Sequence, residues 1–144
     1  MSNIELFRQM IAGEVPAAAV SRLIGMEMVE VGEGTATFEL VAGPQHWSPP
    51  GNLHGGILCD LADAAMGCAN ATRLGPGEAF TTVELKINFL KPVWNARLRA
   101  EARVVKRGKT VGLVECDVTD ETGSLVARAS STCLTLSGKQ AAGR

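Results

Sequence analysis

The chain has 144 residues, 46% hydrophobic and 20% charged, with 14 basic and 15 acidic side chains for a formal net charge of −1. This length suits one domain around one core, and the composition excludes a disordered chain. A nearly neutral total gives no long-range attraction for nucleic acid or an anionic membrane. Phe38, Phe80 and Phe89 lie in separate segments, too scattered to form a base-stacking platform.

In residues 3–12, Ile4, Leu6, Phe7, Met10 and Ile11 fall near one side of a helix. This start is too polar for a secretory signal, and no apolar run approaches membrane-spanning length, so the expected location is the cytoplasm. Pro16 suits the first turn of a second short helix, PAAAVSRLIG, closing at Gly25. The period then changes to two. MEMVEV and TATFELVA read as strands around a tight turn at 32–34, followed by the loop GPQHWSPPG. A long apolar helix follows His54-Gly55-Gly56 and ends near Leu74, before Gly75-Pro76-Gly77.

Four strand-like runs complete the chain. In residues 80–90, Val83, Leu85, Ile87 and Phe89 alternate with Thr82, Glu84, Lys86 and Asn88. In residues 97–105, Leu98, Ala100, Ala102 and Val104 alternate with charged residues. TVGLVECDVTD and SLVARASSTCLTL meet at a turn around Gly123. Such alternation predicts antiparallel strands with two different faces. The fold class is α+β, one helix covering an antiparallel sheet of about five to six strands. Residues 1–138 form a single domain and 139–144 a flexible tail. Cys59, Cys68, Cys116 and Cys133 have neither C-x-x-C nor zinc-finger spacing and read as reduced core or interface residues. With only His46 and His54 available, no metal site is expected.

The long helix carries two acids, Asp60 and Asp63, among apolar and small residues. An isolated buried carboxylate is costly, so each needs hydrogen bonds, a raised pKa or water. Their structural reading is a solvent-filled edge or a backbone cap. Their chemical reading follows from Gly55-Gly56, which starts the helix with unobstructed N–H groups able to polarise a carbonyl. An amide donor and a carboxylate are what hydrolysis of an activated acyl group requires. Asp63 lies eight residues after Gly55, roughly 12 Å along the axis at ~1.5 Å per residue. A general base must come within hydrogen-bonding reach, about 3 Å. A symmetric dimer meets both conditions, one subunit supplying the amide and the other the acid.

LHGGILCDLADAA resembles the signature H-G-G-x-x-x-x-L-A-D/E of hotdog-fold acyl-CoA thioesterases, in the branch that includes the phenylacetic-acid-pathway type and the 4-hydroxybenzoyl-CoA thioesterases. VELKINFLKPV resembles that family's following strand, and residues 102–136 its last strands with their basic turn. The resemblance covers about residues 20–137. It implies a long helix wrapped by a curved antiparallel sheet, homodimers that often pair again as dimers of dimers, and an acyl-CoA substrate at the dimer interface. Coenzyme A then belongs to the substrate, and no separate cofactor is implied.

By the same resemblance, Asp63 matches the catalytic carboxylate. Gly55 matches the backbone donor to the thioester carbonyl, with Gly56 beside it, and Thr82 a hydroxyl that helps hold the attacking water. His54, beside the Gly-Gly turn, reads either as a general base or, as is more common in the resembled family, as a residue that orients the loop. Ser48 stands where several relatives carry Asn and is a candidate to hydrogen-bond near the thioester; Asn52, a candidate substrate contact, is nearby but out of register. Trp47 either shapes an acyl pocket or packs the loop. Lys91, Lys106, Arg107 and Lys109, at strand ends or in a turn, are either solvated or bind the phosphates of coenzyme A. Two other readings remain open: a non-catalytic acyl-CoA sensor, and an enoyl-CoA hydratase, although no His follows Asp60 or Asp63 on the helix.

Overall fold

A computed structural model describes residues 1–144. Helix α1 (Asn3–Ile11) begins at a capping box: Glu5 N–H donates to Ser2 Oγ at 3.2 Å, and Ser2 N–H to Glu5 Oε2 at 2.7 Å. Helix α2 (Ala19–Ile24) stops at Gly25, whose φ of 91° favours glycine. Pro16 does not lie in its first turn as expected; α2 starts three residues later, at Ala19. Strands β1 (Met26–Gly32) and β2 (Thr35–Ala42) form a hairpin, and helix α3 spans Gly55–Ala71. Strands β3 (Glu78–Phe89), β4 (Ala96–Arg107), β5 (Val111–Thr119) and β6 (Leu125–Ser137) follow. Residues 138–140, at the start of the expected tail, form a single 3-10 turn.

The six strands make one sheet, every neighbour antiparallel, in the order β1-β2-β4-β5-β6-β3. The sheet curls around α3. Leu61, Ala62, Ala65, Met66 and Ala69 of the helix are fully buried against Leu40, Leu98, Ala100, Val114, Cys116 and Val118 of the sheet. Small residues on α3 let the sheet backbone come close, and the larger Leu and Met side chains fill the space between. The helix ends at Ala71, three residues short of the expected Leu74. Thr72 Oγ donates to Ala69 O at 2.7 Å and accepts from Gly34 N–H at 2.8 Å, pinning the β1–β2 turn to the helix end.

Two features of this sheet position the site. Strands β1 and β3 are its edges, and the outer side of β3 pairs with nothing in the chain. Strand β3 also contains a bulge. Thr82 pairs with Cys133, Glu84 with Thr132 and Leu85 with Ser131, so Val83 is the extra residue and is 59% exposed. The sequence pattern put Thr82 on the polar face with Glu84 and Lys86. The bulge reverses the phase and turns Thr82 toward the helix, opposite the buried Cys133.

Candidate functional site

The loop before α3 is held by a lattice of short bonds. His46 is buried, its Nε2 against Ile24 O at 2.7 Å, while Gly43 N–H donates to its Nδ1 at 3.2 Å. His54 N–H donates to His46 O at 2.9 Å, and Leu53 N–H to Val93 O at 2.7 Å. Trp47 Nε1 donates to Trp94 O at 3.0 Å, so Trp47 fastens this loop to the β3–β4 connection. It also borders a cavity shared with Gly56, Ile57 and Asp60. Ser48 and Asn52 bond to each other: Ser48 Oγ donates to Asn52 Oδ1 at 2.7 Å, and Ser48 N–H to Asn52 O at 2.7 Å. In this arrangement Ser48 shapes the loop, while Asn52 also lines the cavity beside Gly55.

At the helix start the two glycines have different duties. His54 is the N-cap residue, and its Nδ1 accepts from Gly56 N–H at 2.9 Å. The expectation of Gly56 as a second carbonyl donor therefore meets an occupied N–H. A Cβ on Gly56 would lie 2.8 Å from His54 Nδ1, so the bare residue is what allows the cap to form. Gly55 N–H donates to no atom of the chain. A Cβ on Gly55 would lie 2.9 Å from Phe89 Cζ, which makes Phe89 a wall of the site. The sequence pattern did not identify Phe89, because its approach to Gly55 depends on sheet curvature. Gly55 and Phe89 share a cavity of about 460 Å³ with Leu58, Lys91 and Val93.

Asp63 stands elsewhere on the same helix. Its side chain keeps surface open to solvent in the single chain but sits within a cavity of about 450 Å³ shared with Cys59, Asp60, Thr82 and Leu85. Partial burial raises the Asp63 carboxyl above its ordinary value, and the nearby Asp60 charge raises it further. Thr82 Oγ reaches Cys133 Sγ at 3.9 Å, a weak contact that leaves the hydroxyl available to another partner. Asp63 also lines a third cavity, of about 590 Å³, between α3 and the N-terminal helices. Gly55 and Asp63 thus line separate cavities of one chain.

The basic residues divide between the two ends of α3. Lys91 lies beside Gly55 and is paired with Asp120. Arg107 lies at the opposite end, donating to Arg73 O at 2.8 Å and to Glu78 Oε1 at 2.9 Å. Within one chain Arg107 ties β4 to the helix exit and to β3. Lys106 and Lys109 are exposed near it.

Residues 50–127 match the Thioesterase superfamily. The chain is 32% identical over 103 residues to 1,4-dihydroxy-2-naphthoyl-CoA hydrolase of Listeria monocytogenes, spanning 72% of this chain and 84% of that protein. It is 28% identical over 139 residues to human acyl-coenzyme A thioesterase 13, spanning 91% and 95%. Among solved structures, a phenylacetic acid degradation-related protein of Ralstonia eutropha is 31% identical with a TM-score of 0.79, over 89% of this chain and 98% of that one. The PaaI protein of the Escherichia coli phenylacetic acid degradation operon is 25% identical with a TM-score of 0.80, over 92% and 94%. With the matched segment running from the loop before α3 into β6, and a helix start built around one free glycine amide, the chain belongs to the thioesterase superfamily.

Proposed function

We propose that the protein hydrolyses acyl-CoA thioesters to a free acid and coenzyme A, in a cleft shared by two copies of the chain. The observation that carries this reading is the division of labour along α3. The unpartnered Gly55 N–H and the partly desolvated Asp63 lie eight residues apart on one helix and open into different cavities. A second α3 running antiparallel brings the Gly55 of one copy to the Asp63 of the other. The free side of β3 offers the means, because an unpaired edge of 12 residues is a template for adding a strand. The names of the Listeria and human relatives, both CoA thioester hydrolases, support the reaction class.

In the proposed reaction the thioester carbonyl accepts from Gly55 N–H, which stabilises negative charge as it develops on oxygen. Asp63 of the other copy takes a proton from water, whose oxygen attacks the carbonyl carbon. Thr82 holds that water. The C–S bond then breaks, and the thiolate takes up the proton and leaves as coenzyme A. Direct attack by Asp63 would instead form an anhydride, which water then cleaves. Single turnover in ¹⁸O-labelled water separates the routes: direct attack by water puts one ¹⁸O in the first product acid, whereas an anhydride cleaved at the Asp63 carbonyl leaves the label on Asp63 and none in the first product. His54 acts by fixing the helix start, and Lys91 meets the phosphate end of the substrate. The protein is a cytoplasmic homodimer that pairs again as a dimer of dimers. Val111 and Leu113, exposed on the outer face of β5, supply apolar area for that second contact.

The test is thiol release from a panel of aryl- and alkyl-CoA thioesters. Asp63→Asn lowers turnover by at least about 10²-fold, the scale of losing a general base, while the oligomer persists. Near-normal hydrolysis by that variant removes Asp63 from its role. Tight acyl-CoA binding without turnover by the unmodified protein identifies a sensor instead.

A further inference from the structure

A cavity of about 590 Å³ begins at Asp63 and runs away from Gly55 along α3, past Gly67 to Ala71. Its outer wall is made by Phe7 and Met10 of α1 and by the segment leading into α2, its inner wall by Met26, Phe38 and Phe80. Asn3 Nδ2 donates to Ala71 O at 2.8 Å, so α1 is tethered across the far end. The lining is almost entirely apolar; Glu27, Ser21 and Asp63 are its polar side chains, and none is cationic. This volume lies within the range of small-molecule sites, ~300–1,000 Å³.

We propose, resting on the hydrolase reading above, that this groove holds the acyl chain, and that the subunit supplying Asp63 is the one that binds it. The direction of the groove gives the reason. An acyl chain lying in it places its carbonyl by Asp63, at the groove's mouth. That carbonyl is then roughly 12 Å along the axis, at ~1.5 Å per residue, from the Gly55 of the same helix. The polarising amide, Lys91 and the coenzyme A end therefore belong to the other subunit. The wall chemistry selects the acyl class. Apolar surface and flexible Met side chains suit an uncharged hydrocarbon chain of medium length. Glu27 and Asp63 oppose acyl groups that carry a second carboxylate.

Gly67 gives a way to block the groove. A Cβ built there would meet only Phe80 Cζ, at 3.5 Å, an ordinary contact. Gly67→Leu therefore projects a side chain into the groove from a position that accepts a Cβ. The expected result is a fall of at least about tenfold in the ratio of kcat/KM for octanoyl-CoA over propionyl-CoA. Ala17→Phe, on the exposed outer wall, lowers the same ratio and serves if Gly67→Leu fails to fold. An unchanged ratio in folded protein overturns the assignment.

Mixed oligomers decide which subunit holds the chain. Asp63→Asn chains mixed with Gly55→Pro chains regain hydrolysis if the cleft is shared, because one site of each heterodimer is then intact. Failure of that control counts against the shared cleft itself. Asp63→Asn chains mixed with Gly67→Leu chains gain no octanoyl-CoA hydrolysis above that of Gly67→Leu chains alone if acid and groove share a subunit, because every site lacks one or the other. A rise in octanoyl-CoA hydrolysis above that of Gly67→Leu chains alone in this second mixture overturns the proposal.

Discussion

Replacing Gly55 with proline deletes the N–H proposed to polarise the carbonyl, at a position where the fold tolerates the change. Gly55 is the first helical residue, the position at which proline is favoured. The preceding His54 already has ψ of 132°, the extended conformation that a following proline demands. No intrachain hydrogen bond is lost, since Gly55 N–H has no acceptor. The one obstacle is Phe89. A Cβ at position 55 lies 2.9 Å from Cζ, where ordinary contact begins at 3.4 Å, so the ring must retreat by 3.4 − 2.9 = 0.5 Å. Phe89 is 55% exposed, and Phe89→Ala clears the space at modest expense to the core.

The informative comparison is therefore Gly55→Pro/Phe89→Ala against Gly55→Ala/Phe89→Ala. Both carry a Cβ and lack the ring, and only one carries the N–H. Losing a single oxyanion donor costs about 10²–10³ in kcat, or ~2.7–4 kcal/mol in the transition state. The proline variant should match the alanine variant in thermal midpoint, or exceed it through the ~0.4–1 kcal/mol that a compatible proline contributes by restricting the unfolded chain. The assays are steady-state thiol release and thermal unfolding of the two proteins side by side. Equal kcat in both would refute Gly55 as the donor, whatever the stability shows.

Two further predictions concern the acids. Asp63 must be ionised to act as a base, so the acid limb of the pH–kcat/KM profile should lie above the ordinary carboxylate range; Asp60→Asn, which removes a neighbouring charge, should move that limb to lower pH. A raised folded-state pKa means that ionising Asp63 opposes folding, a penalty absent below the unfolded pKa and complete above the folded one. Asp63→Asn should therefore raise the thermal midpoint at neutral pH, by a margin that vanishes in acid, and a gain that persists at low pH would contradict the linkage.

The parts of this molecule legible in its sequence are those governed by local period. Alternation in residues 97–104 and 111–119 marks β4 and β5 because neither strand's inner face is interrupted there, and the β4 bulge at Val105 comes after the informative run. Thr82 was misplaced by the same reasoning, because one extra residue at Val83 reverses every side chain on one side of it and leaves no trace in composition. His54 as the helix cap fits the expectation that it orders the loop, yet that it occupies Gly56 N–H required coordinates. Arg107 reads as a turn residue, solvated or phosphate-binding, until β4 is laid beside the end of α3, where it meets Glu78 and Arg73 O. The cavity proposed for the acyl chain was invisible for a related reason. Phe7 and Phe80 are 73 positions apart (80 − 7), and only the curl of the sheet brings α1 opposite β3.

The spacing along α3 also fixes where the two copies must meet. Gly55, Cys59 and Asp63 follow one another at intervals of four, so they share one stripe of the helix. If the Gly55 of one copy faces the Asp63 of its partner and the reverse holds, the two-fold axis passes the midpoint, (55 + 63)/2 = 59. Cys59 then approaches its own symmetry mate across helices packed about 8–10 Å apart. Cys59 is only partly buried in the single chain and forms no disulfide. Burial and the charges of Asp60 and Asp63 raise its thiol pKa, so it reacts slowly near neutral pH and needs mildly alkaline conditions. A short bis-maleimide should therefore link two chains through position 59, giving a covalent dimer on denaturing gels that Cys59→Ser abolishes and Cys68→Ser leaves in place. Cross-linking that survives Cys59→Ser, or none at all in an oligomer of intact thiols, would place the axis elsewhere. Gly55 and Asp63 could not then complete one another's site.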